Sequence, residues 1–197
     1  MRRAIFIFIT ALVVAVGIDW TDSCTEEKTD KEKFAYKLSC ANMYEYKDPD
    51  YDFTIRYPGF FSEQPDSLDE YTGYVRFSFA DLWVNVVLEG YVMNNQGQNV
   101  QAAADSLGQV LHATYMKQGK DNFILSGPLY ENDSYLKGYS FYSKYVLNSK
   151  LWFVYSMVYP DDYRDILGRL FHEIDEWQIW ERPRLKLKQG ESQVPRK

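Results

Sequence analysis

Residues 136–146 (LKGYSFYSKYV), 147–150 (LNSK), 151–160 (LWFVYSMVYP) and 161–180 (DDYRDILGRLFHEIDEWQIW) decide the fold. In order they read as strand, tight turn, strand and helix. Tyr, Phe, Val and Trp crowd both strands and suit a pleated, packed surface. Asn148 and Ser149 mark the turn. Pro160 stops the second strand because it has no N–H to give a ladder, and Asp161 stands where it can cap the helix that follows. Within that helix Tyr163, Ile166, Leu167, Leu170, Phe171, Ile174 and Trp177 recur at helical spacing and form one wide apolar face. A hairpin and one helix cannot bury that much aromatic surface alone, so the module predicts more sheet beside it.

The whole chain, 197 residues long, has enough apolar material for that sheet: 46% of its residues are hydrophobic and 17% aromatic. Its 17 tyrosines suit half-buried sheet faces, since each joins an apolar ring to a polar tip. A formal charge of −6 argues against a general nucleic-acid binder, which needs a basic face.

The N-terminus reads as an export signal. Arg2 and Arg3 form a basic head, and residues 4–18 are an apolar run of signal-peptide length. A membrane helix needs about 20 residues. Two processing routes stay open. Ala15 and Gly17 are small residues two apart, as signal peptidase accepts. Alternatively Cys24, preceded by Ser23, is acylated after removal of residues 1–23. Cys40 is the other cysteine of the chain. It reads as a small buried thiol if Cys24 carries lipid, and as a disulfide partner of Cys24 if both survive export.

Along the mature chain, residues 24–50 read as a lipid-anchored tether with an N-terminal segment. Phe34, Leu38, Met43 and Tyr44 fit either a short helix or an edge strand. Residues 51–180 form the αβ domain. Phe53, Ile55 and Tyr57 alternate along a strand that Pro58 and Gly59 end. Residues 73–79 and 82–92 are two strands whose short link predicts antiparallel pairing. In the second, Val84, Val86 and Leu88 face inward, with Trp83, Glu89 and Tyr91 on the other side. Asn99 caps a helix over 100–118, with Val100, Ala103, Ala104, Leu107, Leu111, Thr114 and Tyr115 on one face. Residues 123–126 are a short strand broken by Gly127 and Pro128. Residues 181–197 are a basic tail.

Strands, a long helix, three strands and a last helix resemble the Mog1/PsbP-like fold, an α+β architecture with an antiparallel sheet packed between helices. The likeness covers roughly 51–180. It is carried by Phe53-Thr54-Ile55-Arg56-Tyr57-Pro58 with Phe60 after it, and by the strand 151–159 ending in Pro160 before the final helix. These are scaffold motifs, and no functional residue transfers with them. The resemblance implies a non-catalytic partner of a larger assembly, with a protein partner favoured. Thr25-Glu26-Glu27 after Cys24 resembles the acidic signal of Bacteroidetes envelope lipoproteins, which implies an outer-membrane lipoprotein exposed at the surface.

No assembled catalytic set is visible. The chain lacks a Gly-rich phosphate loop, a G-x-S-x-G elbow and an H-E-x-x-H pair. His112 reads as a packing residue at a helix border and His172 as a solvated one. A His172–Glu176 pair one helical turn apart gives two ligands, too few for a metal site, and no cofactor is implied. The rival enzyme reading, an envelope hydrolase, needs His172 or the acidic loop of Asp66, Asp69 and Glu70. The candidate binding residues are the large aromatics Trp83, Tyr91, Trp177 and Trp180. The sequence thus points to an envelope lipoprotein with a protein-binding or assembly module, or else to a module for an extracellular polymer.

Overall fold

A computed structural model describes residues 28–64, 73–81, 84–131 and 133–179. The chain divides into two compact units, Met1–Cys40 and Ala41–Lys197. In the first, helix α1 (Asp30–Cys40) opens on a capping box: Thr29 N–H donates to Glu32 Oε2 at 2.8 Å and Glu32 N–H to Thr29 Oγ1 at 3.3 Å. Phe34 and Leu38, one turn apart, are its buried residues. Cys40 lies well round the helix from them and is exposed, not the buried thiol expected for a lipid-bearing Cys24.

The second unit is built on a seven-stranded antiparallel sheet ordered β3-β4-β5-β9-β8-β7-β6. Its strands are β3 (Ser62–Glu63), β4 (Val75–Ala80), β5 (Asn85–Asn94), β6 (Tyr115–Gln118), β7 (Asn122–Glu131), β8 (Ser134–Asn148) and β9 (Leu151–Pro160). The hairpin β8–β9 is central, and Asn148 faces Leu151 across a two-residue turn with Ser149 at φ 59°. Both its faces are covered, which is why its strands read as continuous apolar runs. Trp152, Tyr155, Met157 and Tyr159 are all but inaccessible, each contributing about 1.5–3 kcal/mol by burial.

One face carries a separate hairpin, β1 (Met43–Lys47) with β2 (Thr54–Pro58). Gly90 in β5 admits it, for a Cβ there would lie 3.0 Å from Phe53 and 3.3 Å from Ile55. Tyr57 stacks on Phe77 with ring centroids 3.7 Å apart. The Tyr155 hydroxyl donates to the Arg56 carbonyl, and Trp177 Nε1 donates to the Thr54 carbonyl. Beside the hairpin lie a 3₁₀ turn (Asp161–Ile166) and helix α3 (Gly168–Glu176). The sequence predicts one continuous helix to Trp180. Instead the 3₁₀ turn comes first, and the helix closes at Trp177, whose indole is drawn onto β2. Asp161 does not cap it; its carboxylate accepts from Ser140 Oγ at 2.5 Å.

The opposite face carries helix α2 (Val100–Val110), with Asn99 Oδ1 accepting from Ala102 N–H at 2.8 Å. Ala103 and Ala104 press on a core of Phe123, Leu125, Tyr145, Trp152 and Val154. The expected continuation to residue 118 does not occur. His112 takes φ 51°, His112 N–H donates to Gln109 O and Ala113 N–H to Gly108 O, a Schellman closure with His where glycine is usual. Thr114 and Tyr115 leave the helix, and β6 joins the sheet edge. Gly127 and Pro128 do not break β7. Beyond Ser126, β6 no longer pairs, so Pro128 sits where β7 is itself the edge.

Candidate functional site

Residues opposite one another on adjacent strands share a face. On the α2 side, register places Arg76, Glu89, Ser156 and Ser143 side by side across β4, β5, β9 and β8. Tyr91, Val154, Tyr145 and Phe123 form the next row, which α2 covers. Because the helix stops at Val110, Glu89, Ser156 and Ser143 of this row form the floor of a groove of about 340 Å3. Leu111 and His112 wall it from the end of α2, together with Leu129 and Tyr130 from β7. That volume is at the small end for ligand pockets, about 300–1,000 Å3, and an apolar wall around few convergent polar groups is their usual character.

The floor is a hydrogen-bonded set. The Ser143 and Ser156 hydroxyls are 2.6 Å apart. Tyr74 donates its hydroxyl proton to Glu89 Oε1 at 2.8 Å, and Arg76 Nε stands 3.6 Å from the same oxygen. Burial holds the Tyr74 hydroxyl far above its ordinary pKa, helped by the Glu89 charge. Tyr91 is raised well above the phenol range, first by burial and then by its contact with Tyr145. Burial pushes Tyr145 up to about 12. These hydroxyls therefore stay protonated and act as neutral dipoles. At the mouth His112 and Tyr130 lie with ring centroids 4.3 Å apart, and Tyr130 and Tyr135 at 5.7 Å. Val110, Tyr130 and Tyr135 are exposed there.

A second concavity of about 670 Å3 opens on the other face beside Tyr142, Arg164 and Phe171. Its charges are already engaged: Arg164 donates to the Tyr159 hydroxyl at 2.8 Å and lies over the Phe171 ring, and Asp161 accepts from Ser140. The groove is the better-built site.

Of the aromatics singled out from sequence, Tyr91 lines the groove. Trp177 is elsewhere, against Tyr155 and bonded to Thr54. Trp83, Trp180, Cys24, Asp66, Asp69 and Glu70 lie outside the described residues. His112 stands exposed at the mouth and His172 is exposed on α3. Among the described residues no group of three or more His, Cys, Asp or Glu side chains could hold a metal ion, and no helix is long and apolar enough to cross a membrane. Sequence reasoning missed Glu89, Ser143 and Ser156 as a set. The signal was present in part, since Ser143 and Ser156 interrupt apolar runs, but the pairing that joins them depends on register.

No protein-family model and no curated protein matches the chain. Among solved structures it is similar to a cyanobacterial PsbP (CyanoP) from Synechocystis sp. PCC 6803. The identity is 10%, over 80% of this chain and 98% of that one, with a TM-score of 0.51. It is also similar to the Ran-binding protein Mog1p of Saccharomyces cerevisiae, at 11% identity over 68% of this chain and 93% of that one, with a TM-score of 0.48. At such identity the first likeness shows the fold alone and the second carries no argument. The fold is α+β and Mog1/PsbP-like, an antiparallel sheet packed against helices.

Proposed function

We propose that this chain is an exported cell-envelope lipoprotein, anchored through Cys24, whose αβ domain is a non-catalytic binding module with its site in the groove at the end of α2. Residues 1–23 serve as signal, 24–50 as a lipid-anchored tether and N-terminal segment that runs through β1, and 181–197 as a basic tail. The acidic residues after Cys24 support an outer-membrane, surface-exposed lipoprotein of the Bacteroidetes kind. The observation that carries the binding site is the polar row Glu89, Ser156 and Ser143 at the floor of the groove, beneath a mouth where the rings of His112, Tyr130 and Tyr135 lie tilted against one another. Clustered aromatics around a recessed polar floor suit a protruding unit of an extracellular polymer better than a flat protein surface. Tyr91 belongs to this contact set, with Trp83 and Trp180 as further anchors.

A protein partner is the second reading, favoured by the exposed apolar side chains of Val110, Tyr130 and Tyr135 around the same mouth. Retention of the purified mature chain on insoluble envelope material tests both. Tyr130→Ala should weaken retention on the order of tenfold, as loss of one aromatic anchor does, while Tyr44→Ala on β1 should leave it unchanged. Equal retention of both variants and wild type would remove the groove as the site. Loss of retention after the envelope material is treated with protease would move the ligand from polymer to protein.

A further inference from the structure

We infer that the groove selects a cationic ligand, an ammonium group on an apolar body, with the charged head lodged between Glu89 and the floor hydroxyls. The inference rests on the groove being a binding site and specifies what it binds. Among the described residues Glu89 and Asp133 line it, no Lys or Arg does, and His112 is the one basic side chain. Arg76 faces Glu89 from β4 but is not part of the lining, and its Nε is too far from Oε1 for a hydrogen bond. Glu89 is paired with Arg76 and accepts from the Tyr74 hydroxyl, and its side chain is 23% exposed, so it is largely withdrawn from water. With Asp133 as a second carboxylate on the lining, a cation entering here meets a net negative charge in a medium that screens it less than bulk water does.

The remaining lining favours the same ligand. Four aromatic residues, Tyr91, Tyr130, Phe141 and Tyr145, line the space. Such rings attract an ammonium through their quadrupole while packing against its apolar body. The Ser143 and Ser156 hydroxyls, 2.6 Å apart, share one hydrogen bond between them and keep lone pairs for the N–H groups of an ammonium. Tyr91 and Tyr145 are held protonated, so the floor carries no second anion that would demand a metal. An anionic head would meet the two carboxylates of the lining, Glu89 and Asp133. A neutral hydroxyl would gain the hydrogen bonds without the charge.

Three probes with one apolar body separate these cases: phenethylammonium, 2-phenylethanol and phenylacetate, each titrated into the isotopically labelled mature chain and followed by amide NMR. Phenethylammonium should shift the resonances of Tyr91, Ser143 and Ser156 saturably. It should bind on the order of tenfold tighter than 2-phenylethanol, a factor that cation–π and charge contacts of this kind supply. Phenylacetate should not saturate these resonances. Glu89→Gln should remove the preference for the cation, with amides remote from the groove unshifted. Added salt should weaken phenethylammonium binding to the wild type and leave 2-phenylethanol unaffected, a comparison that needs no variant. If 2-phenylethanol or phenylacetate binds the groove as tightly as phenethylammonium, the cation preference is overturned while the groove remains a binding site. If none of the three perturbs the groove, the inference is likewise overturned. The binding-module reading then stands or falls separately, on retention by Tyr130→Ala.

Discussion

Replacing Gly127 by Ala tests how the groove is built. Gly127 is buried in β7, under the connection that leaves α2. A Cβ at this position would lie 3.0 Å from the His112 carbonyl oxygen, 3.0 Å from Thr114 N and 3.1 Å from Ala113 Cα. All three are backbone atoms, so no side-chain rotation relieves the clash. The connection must lift, which strains the hydrogen bond from Thr114 N–H to the Ser126 carbonyl, now 2.9 Å. Overpacking of this kind costs about 1–3 kcal/mol, and losing the hydrogen bond adds about 1 kcal/mol. The sum is about 2–4 kcal/mol, which for a domain of this size lowers Tm by roughly 4–16 °C. Thermal unfolding followed by circular dichroism, with urea unfolding beside it, measures this directly. Gly168→Ala is the control. A Cβ there meets nothing within 4 Å at the first residue of α3, so its stability should stay within about 0.5 kcal/mol of wild type. A Gly127→Ala protein equally close to wild type would refute the claim that this glycine lets the α2 connection cross β7 and wall the groove.

Lys144 is buried on β8, and its ammonium donates to the Asp175 carbonyl in the last turn of α3. Desolvation lowers its pKa. Lys144→Ala should cost roughly 2–3 kcal/mol in urea unfolding, from the lost stem and the lost donor, and Lys144→Met, which keeps the stem, should recover most of it. Tyr145 titrates near 12 in the folded protein against 10.0 when free. A group raised on folding lends stability that is complete below pH 10 and disappears as pH climbs toward 12. The loss is on the order of 3 kcal/mol, since one pKa unit is about 1.4 kcal/mol. Thermal unfolding from pH 8 upward should therefore fall away above pH 10, less steeply in Tyr145→Phe. Cys24→Ala should shift the mature chain from the membrane fraction to the soluble one. An intact mass starting at Ile18 without an acyl chain would contradict the anchor.

The scaffold was readable because alternation and helical spacing are local. The β8–β9 hairpin follows from its aromatic runs, and the antiparallel β4–β5 pair from its short link. Boundaries failed where tertiary contacts overrode local preference. Nothing in Leu111-His112-Ala113 announces a Schellman closure, because its left-handed position is filled by His and not by Gly. Pro128 reads as a breaker until the shortness of β6 shows that β7 is an edge at that point. The site was less readable still. Tyr91 stood out as a large aromatic, but Glu89, Ser143 and Ser156 are far apart in sequence on three strands. They become a set only through the pairing of β5 with β9 and of β9 with β8. Neither the helix that stops short of them nor the ring pair above them is encoded next to them in the chain.

The most direct test places a photo-crosslinking benzophenone side chain at Tyr130, and separately at Tyr44, in the full chain expressed in the producing cell. Both positions are exposed, Tyr130 at the mouth of the groove and Tyr44 on β1, which packs on the opposite face of the sheet. The account predicts a discrete adduct from position 130 and none from position 44, with the first abolished by Ser143→Trp, which fills the floor. No adduct from position 130, or the same adduct from both positions, would contradict a binding site in the groove.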